Sequence, residues 1–160
     1  MAPPTAPHPG ATRPSGRFLG IDFGERRVGV AVSDPTGRLA SPLTTLVRRA
    51  GKRPPLADLE RIAREQEAAG LVLGLPLDLD GEETEWTQEV RAFGVTLVRR
   101  LGIPLHFQDE RLTSVRAERA IRSSGLPRGK REDRTRVDAA AAALILQLWL
   151  DRTPLDGGDR

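Results

Sequence analysis

Apolar and polar positions change rhythm along this chain. In the first third, short apolar stretches are cut by glycine, proline and aspartate. Arg17 to Phe23 predicts a strand, and Gly24-Glu25-Arg26 a turn. Val28 to Ser33, rich in β-branched residues, predicts a second strand. After the Asp34-Pro35-Thr36-Gly37 turn, residues from about Arg38 to Val47 predict a third. Connections this short imply an antiparallel meander.

Beyond Pro54-Pro55 the period lengthens. Leu56, Leu59, Ile62, Ala63 and Gln66 fall at helical spacing, and Gly70 ends that helix. Leu71 to Leu75 is a continuous apolar run, as in a buried parallel strand. A second helix is predicted over about Glu83 to Leu101, striped by Trp86, Val90, Phe93, Leu97 and Leu101 and stopped by Gly102. Ile103 to Gln108 predicts a fifth strand, and helices over about Thr113 to Ser123 and Thr135 to Leu150 close the chain. Three meandering strands followed by alternating helices and strands make a mixed α/β sandwich. Residues 1–16, with five prolines and no apolar stretch, predict a disordered N-terminal tail and no signal peptide. The folded domain is expected over 17–150, with a flexible C-terminal tail over 151–160.

Composition narrows the chemistry. The 160 residues suit one domain with a single core. Cysteine is absent, which excludes disulfides and thiolate metal sites and agrees with a cytoplasmic location. No apolar run is long enough to span a membrane. Lys52 and Lys130 are the only lysines, so arginine carries nearly all the positive charge and the pI is about 10.4. Guanidinium groups grip phosphates in a bidentate fork, yet genomic base composition explains such an excess more simply. The histidines are His8, in the expected tail, and His106, in a predicted strand, so zinc chemistry is not expected.

Three acids stand out. Asp22 sits near the end of the first predicted strand between Gly20 and Gly24, which leave space around its carboxylate; turn formation explains it equally well. Glu110 follows the fifth strand, where sites gather in parallel sheets, although taken alone it is better explained as complementing the dipole of the next helix. Asp138 heads an almost wholly apolar helix face, with Ala141, Ala142 and Ile145 below it. A carboxylate there is costly unless paired, bound to metal or offset by the helix dipole. Such acids, brought together, suit Mg²⁺ or Mn²⁺ chemistry on phosphodiesters, because hard cations prefer oxygen ligands.

Phe18-Leu19-Gly20-Ile21-Asp22-Phe23-Gly24 and Arg27-Val28-Gly29-Val30-Ala31-Val32-Ser33-Asp34 resemble the opening of the YqgF (RuvX) family. Leu73-Gly74-Leu75-Pro76-Leu77 with Asp80-Gly81, Asp109-Glu110-Arg111-Leu112-Thr113-Ser114 and Val137-Asp138-Ala139-Ala140-Ala141 extend the likeness in order, over about Gly16 to Leu150. The resemblance implies an RNase H-like fold: a mixed five-stranded sheet, three antiparallel strands then two parallel, flanked by helices. It implies a metal-dependent nuclease that processes the 5′ end of pre-16S rRNA in ribosome biogenesis. The alternative is a Holliday junction resolvase or another structure-specific DNA nuclease in recombination and repair. Asp22, Glu110 and Asp138 would be the catalytic acids and the ligands of Mg²⁺ or Mn²⁺. Where the family usually has asparagine after the middle motif, this chain has Asp78; it is a further candidate ligand, though a neutral loop exchange is the favoured reading.

Arg26, Arg27, Arg111, Lys130, Arg134 and Arg136 lie close in sequence to these motifs and are the expected nucleic-acid contacts, gripping backbone phosphates without reading sequence. Arg128 and Arg131 fit a solvated basic surface, and Trp86 and Trp149 a core role. The expected partner is pre-rRNA or branched DNA, engaged by a monomer or weak homodimer. A stable dimer would favour resolution, which needs two sites related by a two-fold axis. An actin-like phosphate loop would need a second domain that 160 residues do not provide. A non-catalytic nucleic-acid-binding regulator would gain nothing from acids facing phosphates.

Overall fold

The computed structural model describes residues 12–48, 53–111 and 131–157, the last segment with side chains from residue 136 onward. The element order is β1 (Phe18–Phe23), β2 (Arg27–Ser33), β3 (Ala40–Val47), α1 (Leu56–Glu65), β4 (Gly70–Leu75), α2 (Glu85–Leu101), β5 (Leu105–Asp109) and α3 (Arg131–Arg152). The helix expected over Thr113 to Ser123 lies outside the described residues.

The strands form one sheet in the order β3-β2-β1-β4-β5. β1 pairs antiparallel with β2, and β2 with β3; β1 and β4, and β4 and β5, are parallel. This is the mixed sheet expected from the resemblance. β4 is buried at all six positions, which accounts for its unbroken apolar run.

Two cores lie on opposite faces. One joins Leu19, Ile21, Val28, Val30, Leu71, Leu73 and Phe107 to the apolar sides of α1 and α2. The other packs Phe18, Ala31 and Val72 against Ala141, Ala142, Ile145, Leu146 and Trp149 of α3. Alternation along the strands sends successive side chains to these two layers.

Differences from the sequence expectations are local and have physical causes. α2 begins at Glu85 because Thr84 caps it: the Thr84 hydroxyl accepts from the Thr87 N–H at 3.3 Å, and the Thr87 hydroxyl accepts from the Thr84 N–H at 2.9 Å. β5 begins at Leu105, after Pro104, whose carbonyl accepts from the Leu71 N–H at 2.8 Å. α3 starts four residues before the expected Thr135.

Some described residues of the segments expected to be tails pair with each other. Arg13 and Leu155 form a β-bridge, with the Arg13 N–H on the Pro154 carbonyl at 3.0 Å. The Arg13 Nε donates to the Thr153 carbonyl at 2.7 Å, and its guanidinium lies 5.9 Å and 6.0 Å from the rings of Phe18 and Trp149. Both termini of the domain are thus sewn together at the end of the sheet where β1 begins.

Candidate functional site

α3 crosses its face of the sheet obliquely, and three strand glycines record how close it comes. A β-carbon on Gly29 would lie 2.0 Å from the Asp138 main-chain oxygen. One on Gly20 would lie 2.6 Å from the Leu146 Cβ, and one on Gly74 would meet the Ile145 Cδ1 at 2.6 Å. Farther along, Trp149 reaches Phe18 and His106, with ring centroids 5.0 Å and 4.8 Å away. The alanine-rich face of α3 and the glycines of β1, β2 and β4 together allow this approach.

The same glycines arrange the acids. Asp22 shares the α3 side of β1 with Gly20, two residues earlier, and pairs in register with Gly29 of β2. Asp138 sits over Gly29. On the other side of β1, Ile21 is in register with Leu73, which brings Asp22 beside Gly74 of β4. A β-carbon on Gly74 would lie 2.9 Å from the Glu110 Oε2. The three carboxylates therefore occupy one end of one sheet face, over three adjacent strands spaced about 4.8 Å apart. All three residues are buried, at 2%, 5% and 2% exposure for Asp22, Glu110 and Asp138, so none is an ordinary surface acid.

Asp138 accepts a hydrogen bond at 2.6 Å from the Nε of Arg27, whose side chain is a quarter exposed. Arg27 opens β2, directly after the turn closed by the Gly24 N–H on the Arg27 carbonyl. Its backbone is held by β3 through the Val47 register.

Asp109 and Arg111 form the opposite rim. Arg111 bonds the Asp109 carboxylate through its main-chain N–H and Nε, each at 2.9 Å, and through Nη2 at 2.7 Å. Burial alone would raise the Asp109 carboxyl; the bonds from Arg111 outweigh it and hold it below the usual value of 3.8. The same hydrogen bonding with Asp109 raises the Arg111 guanidinium. The Arg111 fork lies on Gly81, whose φ of 84° a side chain would strain.

Asp78 shapes the neighbouring turn. Its Oδ1 accepts from the Asp80 N–H at 3.0 Å and the Glu82 N–H at 2.8 Å. Arg26 and Arg136 are exposed. Lys130 and Arg128, and the side chains of Arg131 and Arg134, fall outside the described residues.

Sequence reasoning missed Gly29 and Gly74 as the floor beneath Asp138 and Glu110. A glycine inside an apolar strand is itself a sign of close backbone approach, so the signal was present. It also missed Arg48, whose Nη1 donates to the Gly24 carbonyl at 3.0 Å and whose guanidinium lies 4.6 Å from the Phe23 ring. Phe23 in turn stacks on Trp86 and Phe93, so Trp86 belongs to the packing beneath the Asp22 strand end.

The donor set suits a hard divalent cation: three buried carboxylates on one face, with glycines where side chains would fill the space between. Among the described residues, no three histidine, cysteine, aspartate or glutamate side chains gather closely enough to hold one ion as they stand.

Residues 16–152 match the model of the RuvX family, described as Holliday junction resolvase. A protein of Koribacter versatilis (strain Ellin345) named "Putative pre-16S rRNA nuclease" is 42% identical over 98% of this chain and 95% of its own length. A protein of the same name from Anaeromyxobacter dehalogenans (strain 2CP-C) is 45% identical over 85% of this chain and 97% of its own. Among solved structures, T. thermophilus RuvC in complex with Holliday junction substrate is similar at 15% identity, with a TM-score of 0.49 over 84% of this chain and 93% of that one.

Proposed function

The chain belongs to the RuvX family, and from that premise we propose that it is a nuclease that hydrolyses phosphodiester bonds with Asp22, Glu110 and Asp138 as its catalytic acids. The observation that carries this reading is the placement of three buried carboxylates over adjacent strands β2, β1 and β4 at one end of one face. Three buried carboxylates at one end of one sheet face form a donor set of the kind hard cations prefer. Asp22, Glu110 and Asp138 would hold Mg²⁺ or Mn²⁺, which when bound supplies charge neutralisation and an activated water at the scissile phosphate.

The rest of the site positions and shields. Gly29 and Gly74 let α3 and the Glu110 side chain lie close on the sheet, which keeps Asp138 and Glu110 near the Asp22 end of β1. Arg111, fixed by Asp109, the exposed Arg26 and Arg136, and the quarter-exposed Arg27 would neutralise flanking phosphates. Lys130 and Arg134 are further candidates for such phosphate contacts. Such contacts hold the substrate without reading its bases.

The substrate we propose is the 5′ end of pre-16S rRNA, processed in the cytoplasm, as the name shared by the two relatives suggests. The description of the family model favours a second reading, resolution of four-way DNA junctions. The deciding experiment incubates the protein with labelled pre-16S leader RNA and with four-way junctions in Mg²⁺, Mn²⁺ or EDTA. Cleavage of the leader alone supports rRNA processing, and cleavage of the junction alone replaces it with resolution. Equal cutting in EDTA, or by Asp22→Asn and Glu110→Gln variants, overturns the metal-dependent acid triad.

A further inference from the structure

We propose that Arg27 is a cationic latch: its guanidinium occupies Asp138 when no divalent ion is bound and passes to a substrate phosphate when Asp138 turns to the ion. The inference rests on the metal-dependent reading of the three acids and adds a coupling between ion binding and nucleic-acid binding.

Three observations carry it. Asp138 is 2% exposed, so its carboxylate needs a cationic or hydrogen-bonding partner at all times. Arg27 provides one at 2.6 Å, through Nε. Yet the Arg27 side chain is 25% exposed while that of Asp138 is 3% exposed, so the arginine can reach outward from a fixed backbone and the aspartate cannot follow. A guanidinium and a divalent ion compete for one buried carboxylate because their charges repel each other there. Once displaced, the same guanidinium is a bidentate phosphate ligand beside the exposed Arg26. The ion thus frees a phosphate contact, and a phosphate that captures Arg27 frees a carboxylate for the ion. By linkage, each raises the affinity of the other.

The direct test follows the Arg27 Nε–H by nitrogen-15 NMR in the wild-type protein without nucleic acid. The resonance should exchange slowly with water in EDTA and become fast-exchanging as Mg²⁺ saturates the site. A slow resonance retained at saturation overturns the latch.

Calorimetric titration with Mn²⁺ alone gives a second readout. Arg27→Gln, which removes the competing charge, should bind Mn²⁺ tighter by about fivefold or more. Arg27→Lys, which keeps the charge, should stay within about twofold of the wild type on the same reasoning. Unchanged or weaker binding in Arg27→Gln, or the same gain in Arg27→Lys, overturns the latch. With labelled leader RNA, Ca²⁺ should tighten binding by the wild type more than by Arg27→Gln; equal tightening also overturns it. If no variant and no wild-type protein binds Mn²⁺, the metal-dependent reading falls first and the latch falls with it. Normal Mn²⁺ binding with a failed latch leaves that reading standing.

Discussion

The main-chain carbonyl of Asp138 lies so close over Gly29 that a β-carbon there would stand 2.0 Å from its oxygen. No rotamer change relieves such a contact, since both partners are backbone. Gly29→Ala must therefore lift the head of α3 from the sheet, taking Asp138 with it. Overpacking of this kind costs about 1–3 kcal/mol or more. Chemical denaturation should show that loss, and cleavage by the folded fraction should fall as well, because the shifted group is one of the three acids.

Gly74→Ala separates site from stability more cleanly. The atoms it would meet, the Ile145 Cδ1 at 2.6 Å and the Glu110 Oε2 at 2.9 Å, are ends of side chains and can give way. The loss of stability should be smaller than at Gly29. Cleavage should fall by up to about a hundredfold, the cost of misplacing a catalytic group by roughly an ångström. A turnover assay beside a thermal melt distinguishes the two glycines.

Much of this arrangement was readable in the chain. The β1–β3 meander, the all-apolar β4 and the striped α2 follow from period and punctuation. Asp138 stood out because an acid at the head of an apolar alanine-rich face needs compensation. What could not be read was the partner that compensates it. Arg27 is 111 residues away in sequence, and only the crossing of α3 over β2 brings the two together. The glycine floor was hidden for a related reason. Gly29 and Gly74 become neighbours of Asp22 only once the strand order β2-β1-β4 is known. Likewise Arg13 lies in a proline-rich segment that reads as a tail, and its role depends on where α3 ends.

Asp138→Asn should abolish cleavage at a measurable cost in stability. A fully buried ion pair loses about 3–5 kcal/mol when one partner is removed. Arg27 is a quarter exposed and can rehydrate, and asparagine still offers an oxygen to its Nε, so the loss should be only ~1–2 kcal/mol. A double-mutant cycle with Arg27→Gln should show the two losses to be non-additive. Additive losses would mean that the pair contributes nothing to the fold.

His106 makes stability depend on pH near neutrality. Burial against Trp149 lowers its pKa below the ordinary 6.5, because the low-dielectric surroundings penalise the imidazolium. The unfolded chain therefore takes up a proton near pH 6.5 that the folded chain resists. Stability is fullest above 6.5 and declines as pH falls through 6.5 toward the lower folded value. Thermal midpoints measured from pH 7.5 to 5.5 should fall, and His106→Gln should flatten that slope. A slope unchanged by the substitution would assign the pH dependence to other groups.

Arg13 fastens the two ends of the domain from a buried position, and burial pulls its guanidinium pKa downward. Its side chain donates to the Thr153 carbonyl, and its backbone exchanges hydrogen bonds with Pro154 and Asp156. Arg13→Ala keeps the backbone bonds but removes the Nε bond and the contacts with Phe18 and Trp149. The expected loss is about 1–2 kcal/mol, or roughly 2–8 °C in thermal midpoint. Arg13→Met restores the apolar packing without the donor, and Arg13→Lys restores a charge without the planar fork. If the guanidinium matters for its Nε bond and its stacking on the two rings, neither replacement should recover more than part of the loss. Full recovery by methionine would reduce Arg13 to a space-filling stem. Nuclease activity at temperatures well below the midpoint should be unchanged in all three variants, because Arg13 lies at the opposite end of β1 from Asp22.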